Sequence, residues 1–169
     1  MVQVHEFGST EGATLDQPID HLFACHRRIE QRLDTMERAA DVLDTRRDEA
    51  LAAIGRVMHF LDTNGAWHTE DEEVSLFPRL RPLIDEASVG YLRDLEQQHA
   101  GVERTVAALR SALDLGDVSP IVAEARNVAA VYRAHIRFEE SRLLDLARAA
   151  LGSSDLEVIS AEMKQRRGL

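Results

Sequence analysis

Apolar residues recur every three or four positions along four long stretches of this chain, which is the spacing that one buried face of an α-helix requires. The first stretch runs from Pro18 to about Ala40, and proline suits the first turn of a helix. No stretch alternates apolar and polar residues as a half-buried strand does. The pattern therefore predicts an all-α fold, an up-down-up-down four-helix bundle followed by a short fifth helix at 155–167.

The second helix carries two kinds of interruption. Asn64-Gly65 falls inside its apolar face, so we expect a kink, bulge or short break at about 62–66. Pro78 and Pro82 follow, and because proline lacks the N–H that a helix interior needs, they are expected to end or bend the helix.

Cap and turn residues predict the remaining ends. The second helix is expected to begin with a cap at Asp44 or Thr45. The third is expected to begin near Ser88 or Val89 and to end at Gly116, and the fourth to run from Ser119-Pro120 to Gly152. We therefore expect an irregular leader at 1–15, a four-helix bundle at 16–152, and a C-terminal helix at 153–169 packed on or beside the bundle.

A histidine followed four residues later by a glutamate occurs once in each predicted helix. This spacing places both side chains on one face of a helix, and a neutral imidazole beside a carboxylate offers two metal ligands. An isolated pair of this kind usually lies on a solvent-exposed face of a helix. Seven histidines, with glutamate at about one position in ten, would yield only ~0.7 pairs by chance, so the full set indicates a site. The pairs are His26 with Glu30, His68 with Glu72, His99 with Glu103, and His135 with Glu139.

Bundle geometry brings the four histidines together. His99 and His135 each lie about 18 residues from the turn near residue 117, so antiparallel helices place them at the same height. His26 lies about 18 residues before the first turn and His68 about 24 after it, and a break at 62–66 could absorb the difference. The second turn fits less well unless the segment around Pro82 is a loop.

Four imidazoles and several carboxylates are too many ligands for one ion. Two metal ions bridged by carboxylates are the usual solution, with Glu72 and Glu139 as the natural bridges. Nitrogen and oxygen ligands without a thiolate suit iron or manganese, with zinc as an alternative.

These motifs resemble the hemerythrin-like family, the HHE cation-binding domains, over about residues 18–150. The stretch from Asp71 to Pro78 is similar to the family's signature on its second helix. The resemblance implies two iron ions, with an oxo or hydroxo bridge as one form of the pair. It implies the ligands His26, His68, Glu72, His99, His135 and Glu139.

One position departs from the oxygen-carrying hemerythrins, which have a second histidine where this chain has Glu103. Glu103 is expected to ligate as a carboxylate. It would make the site harder and more negative, favour higher-valent metal and weaken the case for reversible oxygen carriage.

Three functions remain open. The first is a protein that binds or senses oxygen, nitric oxide or redox state at the metal pair, with a diatomic molecule or peroxide as its ligand. The second is a di-iron enzyme that consumes peroxide or oxidises ferrous iron. The third is a metal-independent helical scaffold for an unidentified protein partner or a second copy of the chain. A binding protein is favoured over an enzyme.

Composition narrows the partners. A net charge of −10 without a basic stripe disfavours nucleic acid and anionic membranes. Cys25 is the single cysteine, so there is no internal disulfide and no cysteine-based zinc site. No apolar run reaches ~18 residues, and no signal peptide is recognised, so we expect a cytoplasmic protein.

Several residues near the motifs are predicted to lie outside the ligand set. Glu30 is expected at the surface or behind the ligands, and Trp67 and Tyr132 are expected to pack. The histidines not expected to ligate are His5, His21 and His59.

Overall fold

The computed structural model describes residues 15–169, which are helical over most of their length and include no strand. In chain order the helices are α1 (Pro18–Asp41), α2 (residues 47–80), α3 (Glu86–Leu115), α4 (Val118–Glu140), α5 (Leu143–Ala150) and α6 (Ser153–Arg166). α1 packs against α2 and α4, and α4 packs against α3. The all-α bundle with a short C-terminal helix is therefore confirmed. Residues 1–14 of the predicted leader, with His5, lie outside the described residues, and Leu15 is fully buried.

The helix α2 changes its hydrogen-bonding pattern along its length. Its segments are α-helical Arg47–Phe60, π-helical Leu61–Gly65, α-helical Ala66–Glu70, π-helical Asp71–Leu76 and α-helical Phe77–Leu80. The first π-helical turn lies where Asn64-Gly65 predicts a break, which confirms that prediction. A π-helical turn bonds residues five apart instead of four and so rotates the side chains that follow. The second π-helical turn, which contains Glu72, was not predicted.

The prolines act differently from each other. Pro78 does not end α2, because it lies in the first turn of the segment Phe77–Leu80, where its missing N–H costs least. The helix ends only after Leu80, where a 3₁₀ turn at Arg81–Leu83 contains Pro82.

Other helix ends also differ from the prediction. α2 begins at Arg47 after Arg46 rather than at a cap by Asp44 or Thr45, and α4 begins at Val118 rather than at Ser119-Pro120. α3 begins at Glu86 rather than near Ser88, because the Asp85 carboxylate accepts a hydrogen bond from the Ser88 N–H at 2.8 Å. The fourth helix does not run unbroken to Gly152 but stops at Glu140 and resumes as α5. Near that stop the Tyr91 hydroxyl is 2.9 Å from the Phe138 carbonyl oxygen and also contacts that of Glu139. Tyr91 thus occupies carbonyls that a continuous helix would use.

The apolar core consists of two clusters. One contains Leu33, Ile54 and Val128 and lies toward the turns at 42–46 and 116–117; the other contains Leu22 and Phe77 at the opposite end. Ile159 and Met163 of α6 belong to the second cluster, so α6 covers that end of the bundle. The buried His26, His68, His99 and His135, together with Glu72 and Glu139, lie between the two clusters. Within residues 15–169, no helix combines the length and apolarity needed to cross a bilayer.

Candidate metal centre

Six side chains from the four long helices converge between the two apolar clusters. They form two groups of possible ligands, each with two histidines and the same two glutamates, and within each group the ligand atoms lie within 4.8 Å of one another. The groups are His26, His68, Glu72 and Glu139, and Glu72, His99, His135 and Glu139. Because both groups share Glu72 and Glu139, the arrangement matches two adjacent cation sites with two carboxylates between them.

The distances place Glu139 centrally. Its Oε1 is 3.3 Å from Nε2 of His26, and its Oε2 is 3.3 Å from Nε2 of His135. The other shared carboxylate, Glu72, has Oε1 3.6 Å from Nε2 of His68 and Oε2 3.1 Å from Nε2 of His99. Each carboxylate therefore offers one oxygen to each histidine pair.

The histidines turn Nε2 toward the centre, and three of them bind a further residue through Nδ1. His26 Nδ1 is 2.9 Å from Oε1 of Glu140, and His99 Nδ1 is 2.7 Å from Oε1 of Glu73. His135 Nδ1 is similarly 3.2 Å from Oε1 of Gln98. A histidine that donates from Nδ1 keeps the lone pair of Nε2 for a metal, and such outer partners orient metal-binding imidazoles.

Several buried polar atoms of the centre have no hydrogen-bond partner in the described part of the chain, whereas Nε2 of His26 and Nε2 of His68 lie 3.1 Å apart. Among residues 15–169 no hydrogen bond satisfies either carboxylate oxygen of Glu72 or Glu139, Nε2 of His99 or Nδ1 of His68. Glu72 and Glu139 are fully buried. A buried polar group without a partner costs about 1–3 kcal/mol, and a charged one more. Cations between these atoms would remove that cost, so the residues present fit a pair of metal ions.

The pKa shifts reflect crowded, buried charge. Burial lowers the pKa of His68 well below its ordinary value, and the nearby charge of His26 lowers it further. Burial raises the pKa of Glu72 well above its ordinary value, and the charge of Glu139 adds to this. Burial also opposes charge at Glu139 and His26. At Glu139 it is outweighed by interactions with Glu72, His135 and His26, which lower the pKa of Glu139. At His26 it is outweighed by interactions with Glu139 and Glu140, which raise the pKa of His26.

Glu103, the seventh predicted ligand, is not part of either group. Its side chain is exposed, although it follows His99 by one helical turn. The residue that α3 buries at that level is Val102. The expected effect of Glu103 on the charge of the centre therefore has no support in the geometry.

Three residues that were predicted not to bind metal lie outside both ligand groups. Glu30 pairs with Arg27 at 2.7 Å, away from both groups, and His59 is exposed. His21 is fully buried with Nε2 3.3 Å from Sγ of Cys25. Burial and the charge of Arg167 lower the pKa of His21 to about 3.

Sequence reasoning missed the residues behind the histidines. Each of them is adjacent in sequence to a predicted ligand; they are Glu73, Gln98 and Glu140. However, no spacing rule connects Glu140 on one helix to His26 on another. It also missed Asp71, which is fully buried next to Glu72. A buried acidic residue beside a ligand has no distinctive signal in a chain with 30 acidic residues.

Comparison with known proteins gives two findings. A model of the hemerythrin HHE cation-binding domain matches residues 17–147. An uncharacterised protein from Haemophilus influenzae is 24% identical over 166 residues, which cover 92% of this chain and 92% of that protein. The family match includes all six converging side chains, and α6 lies beyond its end.

Proposed function

Because the chain belongs to the hemerythrin HHE cation-binding family, we propose that it holds two iron ions and binds or senses a small molecule there, either oxygen, nitric oxide or peroxide. One ion would lie with His26 and His68 and the other with His99 and His135. Glu72 and Glu139 would bridge the two ions. The single observation that carries the proposal is the sharing of both glutamates between two ligand groups.

The donor set supports iron. Imidazole nitrogens and carboxylate oxygens without thiolate suit iron or manganese, with zinc as an alternative. Two imidazoles and two shared carboxylates give each ion four protein ligands, which leaves positions open in a six-coordinate ion. Iron at such a site supplies reversible ligand binding and one-electron chemistry.

The protein's own groups would set the conditions of that chemistry. Glu140, Glu73 and Gln98 contact Nδ1 of three imidazoles, which orients the rings and would leave each Nε2 to bind the metal. The apolar clusters pack against both sides of the ligand layer and lower the dielectric constant around it, which strengthens the electrostatic interactions within it.

Elemental analysis after anaerobic reconstitution with ferrous iron tests the proposal. We expect about two iron ions per chain. A single ion, or none, would overturn the di-iron assignment. Optical titration with nitric oxide and with peroxide then separates the two uses of the site, because a binding protein gives a reversible spectral change and an enzyme consumes peroxide over many turnovers.

A further inference from the structure

A cleft of about 390 Å³ opens between α2 and α3 and reaches the ligand layer. Its lining includes Leu61, Val102 and Val106, which are apolar, and His99, which belongs to the candidate metal centre. The space therefore leads from the surface to one of the histidines proposed to hold metal.

Tyr132 lines this cleft without a partner for its hydroxyl. The side chain is 9% exposed, and its hydroxyl makes no hydrogen bond with any of residues 15–169. Burial raises the pKa of Tyr132, so the hydroxyl keeps its proton at neutral pH and can donate a hydrogen bond. A hydroxyl that faces the cleft and has no protein partner among the described residues is available to donate a hydrogen bond to a molecule that enters the cleft.

Gly65 preserves the space in front of that hydroxyl. A Cβ atom at position 65 would lie 3.3 Å from the Tyr132 hydroxyl oxygen, which is closer than nearly all such contacts. At Gly55, which lies on the same helix, a Cβ would meet nothing within 4 Å. A side chain at position 65 would therefore narrow this space and displace the Tyr132 hydroxyl by a few tenths of an ångström.

The tyrosine and the glycine lie one helical turn from the metal ligands. Gly65 precedes His68 by three residues, and Tyr132 precedes His135 by three residues. At a rise of about 1.5 Å per residue, both lie roughly 5 Å along the bundle from the ligand layer. A molecule beside Tyr132 is therefore one short step from the open metal positions.

The rim of the cleft carries negative charge. Glu70, Glu73 and Glu103 line it, and of these Glu70 is paired with Arg166 at 3.6 Å. The arginine that also lines the cleft, Arg110, is held by Asp62 through contacts of 2.7 Å to both carboxylate oxygens. Carboxylates at the mouth of a cleft repel anions and do not hinder uncharged molecules.

We propose that this cleft is the entrance and binding site for a small uncharged oxygen-containing molecule, of the size of dioxygen, nitric oxide or hydrogen peroxide, and that Tyr132 donates a hydrogen bond to it. This inference rests on the proposed function, because the molecule would travel through the cleft to the proposed metal centre. Gly65 keeps the passage open, and the acidic rim discriminates against anions. Glu103 acts at this rim rather than as a metal ligand.

The first experiment measures association rates on the iron-loaded protein, with nitric oxide as the uncharged probe and azide as the anionic one. Gly65→Ala should slow nitric oxide association about tenfold or more, whereas the matched control Gly55→Ala should leave it unchanged. Tyr132→Phe should speed nitric oxide dissociation about 3- to 10-fold, the value of one hydrogen bond. Glu103→Gln should speed azide association at low salt and leave nitric oxide unaffected.

Equal rates in the Gly65→Ala and Gly55→Ala proteins would overturn the entrance. The double variant Gly65→Ala with Tyr132→Phe lacks the close contact with oxygen, so it should recover part of the lost rate. Iron content is measured on every variant, and it should stay at the wild-type value because none of these residues belongs to the ligand groups.

The second experiment does not depend on iron. The chain has two tyrosines, so 3-fluorotyrosine labelling gives one fluorine signal from Tyr132 and one from Tyr91. In protein without paramagnetic metal, dissolved dioxygen should relax the Tyr132 signal faster than that of the equally buried Tyr91, and Gly65→Ala should abolish the difference. Equal relaxation of the two signals would overturn the cleft inference, whereas a chain that binds no iron would overturn only the proposed function.

Discussion

Glu72 and Glu139, the two glutamates proposed as bridges, differ from the other carboxylates of residues 15–169 in being fully buried without a hydrogen-bond partner. Glu72→Gln and Glu139→Gln keep the volume of the side chain but remove the charge that would join two cations. We expect each to lower metal affinity by more than the roughly 10- to 100-fold that loss of an outer partner costs. Metal titration with elemental analysis measures this.

Glu103→Gln and Glu30→Gln serve as the matched controls for those two substitutions. Each control residue follows a central histidine by four positions, as Glu72 and Glu139 do, but neither joins the ligand groups. Both variants should bind metal as the wild type does. If all four variants lost metal equally, the assignment of the bridges would be wrong.

At the scale of helices, α6 is tied to the π-helical turn that contains Glu72. Asp71 is fully buried, with Oδ1 2.6 Å from Nη1 of Arg166 and Oδ2 2.7 Å from Nη2 of Arg167. Removing the partners of a buried charge leaves it uncompensated, which costs about 3–5 kcal/mol. The double substitution Arg166→Gln, Arg167→Gln should therefore lower the free energy of unfolding by about that amount, as measured by urea denaturation.

Glu162→Gln is the control for that pair of substitutions. It breaks the ion pair of Glu162 with Arg79, which joins the same two helices at 2.7 Å but is about a third exposed. Exposed ion pairs contribute about 0–1 kcal/mol, so this variant should unfold nearly as the wild type does. A loss as large as that of the arginine variant would show that docking of α6 as a whole, rather than the buried charge of Asp71, determines stability.

For the whole molecule, the decisive feature is a polar layer between two apolar clusters. Metal binding would satisfy that layer, and at ion concentrations near a thousand times the Kd it would contribute about 4 kcal/mol of stability. For a chain of this length that corresponds to a fall in Tm of roughly 10 °C when a chelator removes the ions. The apolar clusters should preserve the helices, so we expect loosening rather than complete unfolding.

Calorimetry with and without chelator measures this shift, and circular dichroism at 25 °C follows the helix content. A variant carrying both Glu72→Gln and Glu139→Gln is the control, since its Tm should not respond to the chelator. An unchanged Tm for the wild type on chelation would mean that the histidines are ordinary core residues and would contradict the metal hypothesis.

The helices and the convergence of the four histidines were predictable because both follow from periodicity. Apolar spacing of three to four residues can be satisfied by one helical face, and the equal distances of His99 and His135 from their turn place them at the same level. Their ring centres lie 4.7 Å apart. The break at Asn64-Gly65 was predictable as well, because it depends on the residue types at those two positions and not on contacts with distant parts of the chain.

Only the tertiary structure decided which neighbours of those histidines face the centre. Glu103 and Glu139 follow their histidines by the same four residues, yet one is exposed and the other fully buried. The difference arises from the rotation of each helix about its axis, which packing against the other helices determines. The contacts of Glu140 with His26 and of Arg166 with Asp71 join residues 114 and 95 positions apart, respectively. Local spacing constrains one helix at a time, whereas these contacts depend on how several helices pack together.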